Sequence, residues 1–197
     1  TGTDDPAGES TDILRQGNRI KQIGQDLEKR SDESDDSITA DTRVIDCSDH
    51  VVLPGLVNTH HHFYQTLTRN IRAVQDAKLF DWLVYLYELW KHIDEEAVFY
   101  SSLLAMGELL KTGCTLSTDH HYLYPKRIDC DIMATQFKAA ETLGMRFSPT
   151  RGSMSLSRKD GGLPPDSVVQ TQEEILKDSE RVIHHFHDDS RMSMNNI

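Results

Sequence analysis

The sequence predicts an α/β protein built on a parallel sheet, and three observations carry that expectation. Apolar runs with strand character alternate with amphipathic helical stretches along most of the chain. Asp94 and Asp166 open two of those helical stretches, and Gly113 and Gly144 close two, the usual chemistry of helix ends. Hydrophobic residues make up 37% of 197 residues, enough to bury a core between sheet and helices. Alternation of this kind requires crossover connections, which are right-handed in parallel sheets.

The elements follow in chain order. Residues 13–24, "ILRQGNRIKQIG", read as a short hairpin turning at Gly17-Asn18. The stretch "QDLEKRSDESDDSITAD" is polar and acidic, and predicts a mobile loop near 26–41. "RVIDCSDHVVLPG" regains strand character and leads into a buried strand over residues 51–60. "LFDWLVYLYELW" at 79–90 is apolar but too short to span a bilayer, and it carries Asp81 and Glu88. Trp82 and Trp90 within it are spaced for helix packing, with a core role and a pocket-wall role both open.

"DEEAVFYSSLLAMGELLKTG" predicts a helix with Asp94 as its N-cap and Gly113 past its end, burying Phe99, Leu103, Met106 and Leu110. "CTLSTDHH" at 114–121 reads as the second strand. "RIDCDIMATQFKAAETLG" reads as a helix with Met133, Phe137 and Ala140 on one face and Gly144 as its stop. "MRFSPTRGSMS" is a third strand running into a loop. After "GGLPP", Asp166 is the expected cap of a helix whose Val169, Leu176 and Ile183 recur every seven residues.

Charge and cysteine usage narrow the function classes. The formal net charge is −11, with 32 acidic against 21 basic residues. A binder of nucleic-acid backbones needs a basic surface, so no nucleic-acid partner is expected, and a small uncharged or cationic ligand suits the balance better. Cys47, Cys114 and Cys130 are far apart and form no CxxC pair, which supports neither a disulfide framework nor a thiolate metal site. They read as reduced thiols of a cytoplasmic chain. No signal-peptide pattern opens the sequence and no stretch predicts a membrane span, so no membrane partner is expected.

The chemistry gathers at "NTHHHFYQ", residues 58–65, directly after the apolar run. On a strand, His60 and His62 share one face and His61 takes the other. Their Cα atoms would lie roughly 6.6 Å apart at ~3.3 Å per residue, a spacing from which two imidazoles can converge on one metal. They also occupy the C-terminal end of a parallel strand, where barrel enzymes place their chemistry. A polar strand end, or histidines satisfied in a core, would produce the same string.

The segment "VVLPGLVNTHHHFYQTLTR" resembles the first-strand signature of the amidohydrolase superfamily, in which a Pro-Gly strand ends in an HxH metal pair. Upstream, "GNRIKQIG" and "VIDCSDHVVLPG" resemble that family's flanking β-sandwich. Downstream, "LLAMGELLKTGCTLSTDHHYLYP" and "RGSMSLSRKDGGLPPDSVV" resemble the branch of amino-heterocycle deaminases that includes 8-oxoguanine deaminase. The resemblance covers roughly residues 13–190. It implies residues 1–55 as a partial β-sandwich and residues 56–197 as the N-terminal part of a (β/α)8 TIM-type barrel, about three strands with their helices.

What the resemblance implies chemically is hydrolytic deamination of a purine-like small molecule. One divalent metal, zinc with ferrous iron as the alternative, would activate water for attack on the carbon bearing the amine. His60 and His62 become the metal ligands, and His61 a supporting or packing residue. Gln65 is a candidate hydrogen-bond partner for the ring, or alternatively a solvated or capping amide. His121 or its neighbour His120 could line the substrate pocket or serve a structural role, and Arg151 could touch substrate or form a salt bridge. "HHFH" at 184–187 ends a helix, where histidines complement the dipole.

The family pattern also needs a third histidine, an aspartate and proton-shuttle residues from later strands. None can be assigned after residue 62, and "DDSRMSMNNI" at the end is too polar for a buried fourth strand. The expectation is therefore an N-terminal fragment, inactive alone, whose uncovered edges favour self-association into homo-oligomers. A hydroxyatrazine-type aminohydrolase, a guanine deaminase, or a non-catalytic fragment binding metal weakly are the alternatives.

Overall fold

A computed structural model of the chain describes residues 11–27 and 42–188. The acidic loop, beyond Leu27, and residues 189–197 lie outside the described residues. The chain divides into two compact units, Thr1–Pro54 and Gly55–Ile197.

In the first unit, β1 (Asp12–Gln16) and β2 (Arg19–Gly24) form the antiparallel hairpin read from the sequence. Gly17 takes φ +60°, a left-handed conformation that glycine adopts without steric cost. Asp12 fastens the base of the hairpin by accepting the Leu27 amide at 2.9 Å.

The second unit runs β3 (Leu56–Asn58), α1 (Leu79–Trp90), α2 (Glu95–Lys111), β4 (Cys114–Ser117), β5 (His120–His121), α3 (Ile132–Leu143), β6 (Arg146–Phe147), β7 (Thr150–Arg151) and α4 (Gln172–Phe186). Strands β3, β4 and β6 form a parallel sheet in that order, and β5 pairs with β7, also parallel. Sequential strands are thus spatial neighbours with helices between them. Backbone bonds carry the pairing across the break after Ser117: Thr118 N–H to Asn58 O, Ser148 N–H to Ser117 O and Thr150 N–H to Asp119 O.

Local end signals explain the helices. Asp94 accepts the Ala97 amide at 2.9 Å and Asp131 accepts the Ala134 amide at 3.1 Å, each satisfying an orphan donor of the first turn. Gly113 and Gly144 follow with φ +85° and +67°. The last helix departs from expectation. Asp166 begins a short 3-10 turn, Asp166–Val168, and α4 is capped instead by Thr171 in a reciprocal box with Glu174.

Packing differs from the expected stripes in three places. On α2 the buried face is Val98, Ser101, Ser102, Ala105 and Met106, rather than Phe99, Leu103 and Leu110. Both serine hydroxyls bond back to Val98 O, so small residues can go inside without a polar deficit. The buried strand read over 51–60 is a three-residue strand, with Leu56 at 59% and Val57 at 56% exposure, because β4 is its one strand partner among the described residues. On α4, Leu176 and Ile183 are exposed and Val182 is buried.

Two apolar clusters hold the unit together. Phe63 stacks on Phe147 at 5.6 Å, and Phe147 meets Phe137, which stacks on Phe186. Tyr64 and Tyr87 flank Trp90, with Leu86, Leu123 and Val168 beside them. Burying a ring of this size contributes about 1.5–3 kcal/mol, so Phe63 firmly seats the turn that follows the histidines.

Candidate functional site

The three histidines lie beyond the regular part of β3, between Asn58 and a 3-10 turn over Phe63–Thr68. The neighbouring ribbon still holds their backbone, His120 donating its amide to His61 O at 2.8 Å. The rings of His60 and His62 stand 4.9 Å apart, nearly perpendicular. His62 is further enclosed by the rings of Tyr122 at 5.3 Å and His120 at 5.7 Å.

One hydrogen bond settles the chemistry of His62. Its Nδ1 lies 2.8 Å from the carbonyl oxygen of His120. A carbonyl can only accept, so Nδ1 carries the proton and the neutral ring keeps its lone pair on Nε2. Burial pushes the pKa of His62 below the ordinary imidazole value, which favours that neutral form. A backbone carbonyl on the remote nitrogen is the arrangement that orients histidine ligands of metals. His62 therefore fits as a nitrogen donor, with the ring of His60 beside it. Among the described residues, no group of three or more His, Cys, Asp or Glu could hold a metal ion.

Beside the pair is a cavity of about 360 Å³ lined by His61, His62, Gln65, Thr66, Arg69 and Trp82, with Thr68 and Asn70. That volume lies at the small end of ligand pockets. Gln65 donates to the Tyr64 hydroxyl at 3.3 Å, and Arg69 is occupied by a two-pronged bond to Glu108. His61 packs on Phe63 at 4.9 Å while also lining the cavity. Trp82 is thus a wall of the cavity, and Trp90 belongs to the core.

His121 and Arg151, each read as a substrate contact or a structural residue, do not line this cavity. His121 is fully buried, and its Nε2–H donates to Leu123 O at 2.7 Å. Among the described residues its Nδ1 has no hydrogen-bond partner, and it lies 4.0 Å from Asp119 Oδ2. Burial drives His121 down to about 4 and Asp119 up to about 7, so this proximity is not an ion pair near neutrality. Arg151 donates from Nε to Asp178, and from its terminal nitrogens to Gly152 O and Gln170 Oε1, while its guanidinium lies 4.1 Å over the Tyr124 ring. It clamps β7 to the middle of α4 and to the segment before that helix. At the end of α4, His184 lies 3.9 Å from Glu180 and His185 packs against Phe186.

Sequence reasoning passed over Asp119. Its carboxylate is completely buried, accepting the Phe63 amide at 2.8 Å and the Gln136 side chain at 2.6 Å. The signal was present in "DHHY", where an acid precedes the histidines at a strand end, but its partner on α3 is invisible to local reading.

The second unit is thus a parallel sheet of successive strand–helix units with an HxH pair past the end of its first strand. The Amidohydrolase family model matches residues 51–193, and the chain belongs to that family. It is 53% identical over 142 residues to 8-oxoguanine deaminase of Pseudomonas aeruginosa, covering 72% of this chain and 31% of that relative. It is 33% identical over 200 residues to hydroxydechloroatrazine ethylaminohydrolase of a Pseudomonas species, covering 99% of this chain and 42% of the relative. Among solved structures, atrazine chlorohydrolase TrzN from Arthrobacter aurescens complexed with zinc superposes with a TM-score of 0.78 at 26% identity, over 94% of this chain and 40% of that one. The chain thus spans less than half the length of these relatives.

Proposed function

We propose that this chain carries the first-strand part of a metal-dependent hydrolytic deaminase site for a purine-like amino-heterocycle of the 8-oxoguanine type. The observation that carries the reading is the His62–His120 bond, which leaves His62 Nε2 open beside His60 at the edge of a cavity of heterocycle size. The 53% identity to an 8-oxoguanine deaminase supports the substrate class.

In this reading residues 1–55 are a partial β-sandwich and residues 56–197 belong to a (β/α)8 barrel, consistent with the order β3-β4-β6. His60 and His62 hold one divalent metal, zinc or ferrous iron. When bound, the metal supplies the Lewis acidity that makes water a nucleophile at neutral pH. Trp82 offers a flat apolar face to the ring, and Gln65 offers an amide to its polar edge. The remaining ligands and proton-transfer groups are not assigned among the described residues, and this reading takes the chain by itself to be inactive. It acts without nucleic-acid or membrane partners, in the cytoplasm. No described helix is long and apolar enough to cross a membrane.

The test is metal content after purification with zinc, with ammonia release assayed on 8-oxoguanine, guanine and isoxanthopterin. Substoichiometric metal that is lost in His60→Ala and His62→Ala, with no ammonia, is expected of the chain alone. Zinc uptake unchanged by both substitutions would overturn the assignment of the pair.

A further inference from the structure

Asp119 is a buried carboxylate that the proposed chemistry does not use. Enclosing a carboxylate completely is costly unless its oxygens are satisfied. Here Oδ1 accepts the amide of Phe63, the residue directly after His62, at 2.8 Å. Oδ2 accepts Gln136 Nε2 from α3 at 2.6 Å. The next residue, His120, gives its carbonyl to His62 Nδ1 and its amide to His61 O. One short segment thus grips the histidine stretch on both sides of the His62 ring, and a helix amide anchors that segment from behind.

We propose that Asp119 is a positioning residue for the histidine pair. Its carboxylate, pinned by Gln136, holds the Phe63 amide and so keeps the His62 ring with Nδ1 on the His120 carbonyl and Nε2 free. The purpose of that placement rests on the metal-pair reading above, whereas the placement itself can be measured without metal. Phe63 alone would not achieve it. Its ring is seated by Phe147, but a seated ring still allows the preceding peptide to turn, and the 3-10 turn it begins receives no side-chain cap from His62. Asp119 supplies that missing acceptor from the break between β4 and β5, satisfying a first-turn amide across 56 residues of sequence.

The test is the protonation pattern of the His62 ring, read by long-range proton–nitrogen correlation on the 15N-histidine-labelled full chain at pH ~8.5, above the ordinary imidazole range. The unaltered chain should show His62 as a single Nδ1–H tautomer. Asp119→Ala should give a mixture of both tautomers while His60 is unchanged. Asp119→Asn should rescue the single tautomer, because its amide oxygen still accepts the Phe63 N–H and its NH2 meets a turned-over Gln136. Gln136→Met, similar in volume, should give an intermediate mixture and decides the question where Asp119→Ala does not fold. A folded Asp119→Ala or Gln136→Met protein with the unaltered His62 tautomer would overturn the inference. A Co²⁺ titration separates the two readings. Binding by the unaltered chain, weakened about 10-fold in Asp119→Ala, upholds both. A tautomer shift without Co²⁺ binding to any form upholds the positioning role and removes the metal pair.

Discussion

Arg151 donates its Nε to Asp178 across 2.9 Å from a side chain that is 3% exposed. With Gly152 O, Gln170 and the Tyr124 face also engaged, the guanidinium is consumed by the protein's own groups. Removing one partner of a buried pair leaves the other uncompensated. Arg151→Ala is expected to lower stability by about 3 kcal/mol, the low end for such pairs because Asp178 retains some solvent and keeps its bond from Arg181 at 2.9 Å. Arg151→Lys should recover only part of this, since an ammonium cannot reproduce the planar fork. Urea unfolding midpoints measure both.

Gly55 lies where β3 meets β4, and a Cβ built there would collide with the Thr115 side chain, including its own Cβ. Rotation of the threonine does not relieve that contact. Gly55→Ala should therefore cost about 1–3 kcal/mol, as overpacking does. The double variant Gly55→Ala, Thr115→Gly should regain part of the loss. Thermal unfolding of the four forms gives the coupling.

Asp119 and His121 bend the pH dependence of stability in opposite senses. Asp119, raised by burial from 3.8 to about 7, stabilises the fold at low pH and loses that contribution as pH climbs through about 7. His121, lowered by burial from 6.5 to about 4, contributes stability above its ordinary value that is lost as pH falls from 6.5 towards 4. Between these limits the two slopes offset one another. Asp119→Asn removes one of them, so its stability should rise from pH 4 to 6.5 more steeply than the unaltered chain's, by up to about 1.4 kcal/mol per unit. Equal slopes in denaturant titrations across that range would refute this.

Leu176 at 71% and Ile183 at 51% exposure lie seven residues apart on α4. Replacing both by lysine should leave the unfolding free energy within about 0.5 kcal/mol, since neither is buried. The same change should reduce any self-association, read by sedimentation velocity.

The start and stop of α2 and the stop of α3 could be read directly, because Asp94, Gly113 and Gly144 act on backbone groups within three or four residues of themselves. The hairpin at Gly17 was legible for the same reason. Features set by distant residues were not. The length of β3 depends on its partner strand, and the buried face of α2 depends on what packs against Ser101 and Ser102. Asp166 resembled a cap as convincingly as Thr171 did. Glu174, reciprocating from three residues beyond Thr171, distinguishes the true start. At the site, the spacing of His60 and His62 marked the pair, whereas His121 is enclosed by the Tyr64 and Tyr124 rings and Arg151 is engaged by Asp178 of α4, partners that local reading does not reveal.

The bond from Asn58 to Ser117 closes a separation of 59 residues. Loop closure over that length costs several kcal/mol of chain entropy before any contact compensates it. The capped helices α2 and α3, by contrast, form from neighbouring residues. The expected order of assembly follows: the helices gather first, and the segment bearing the histidines docks late. In native-state hydrogen exchange, the Thr118 and His120 amides should open at lower free energy than those in the middle of α2, making the histidine pair the last part of this unit to form and the first to come apart.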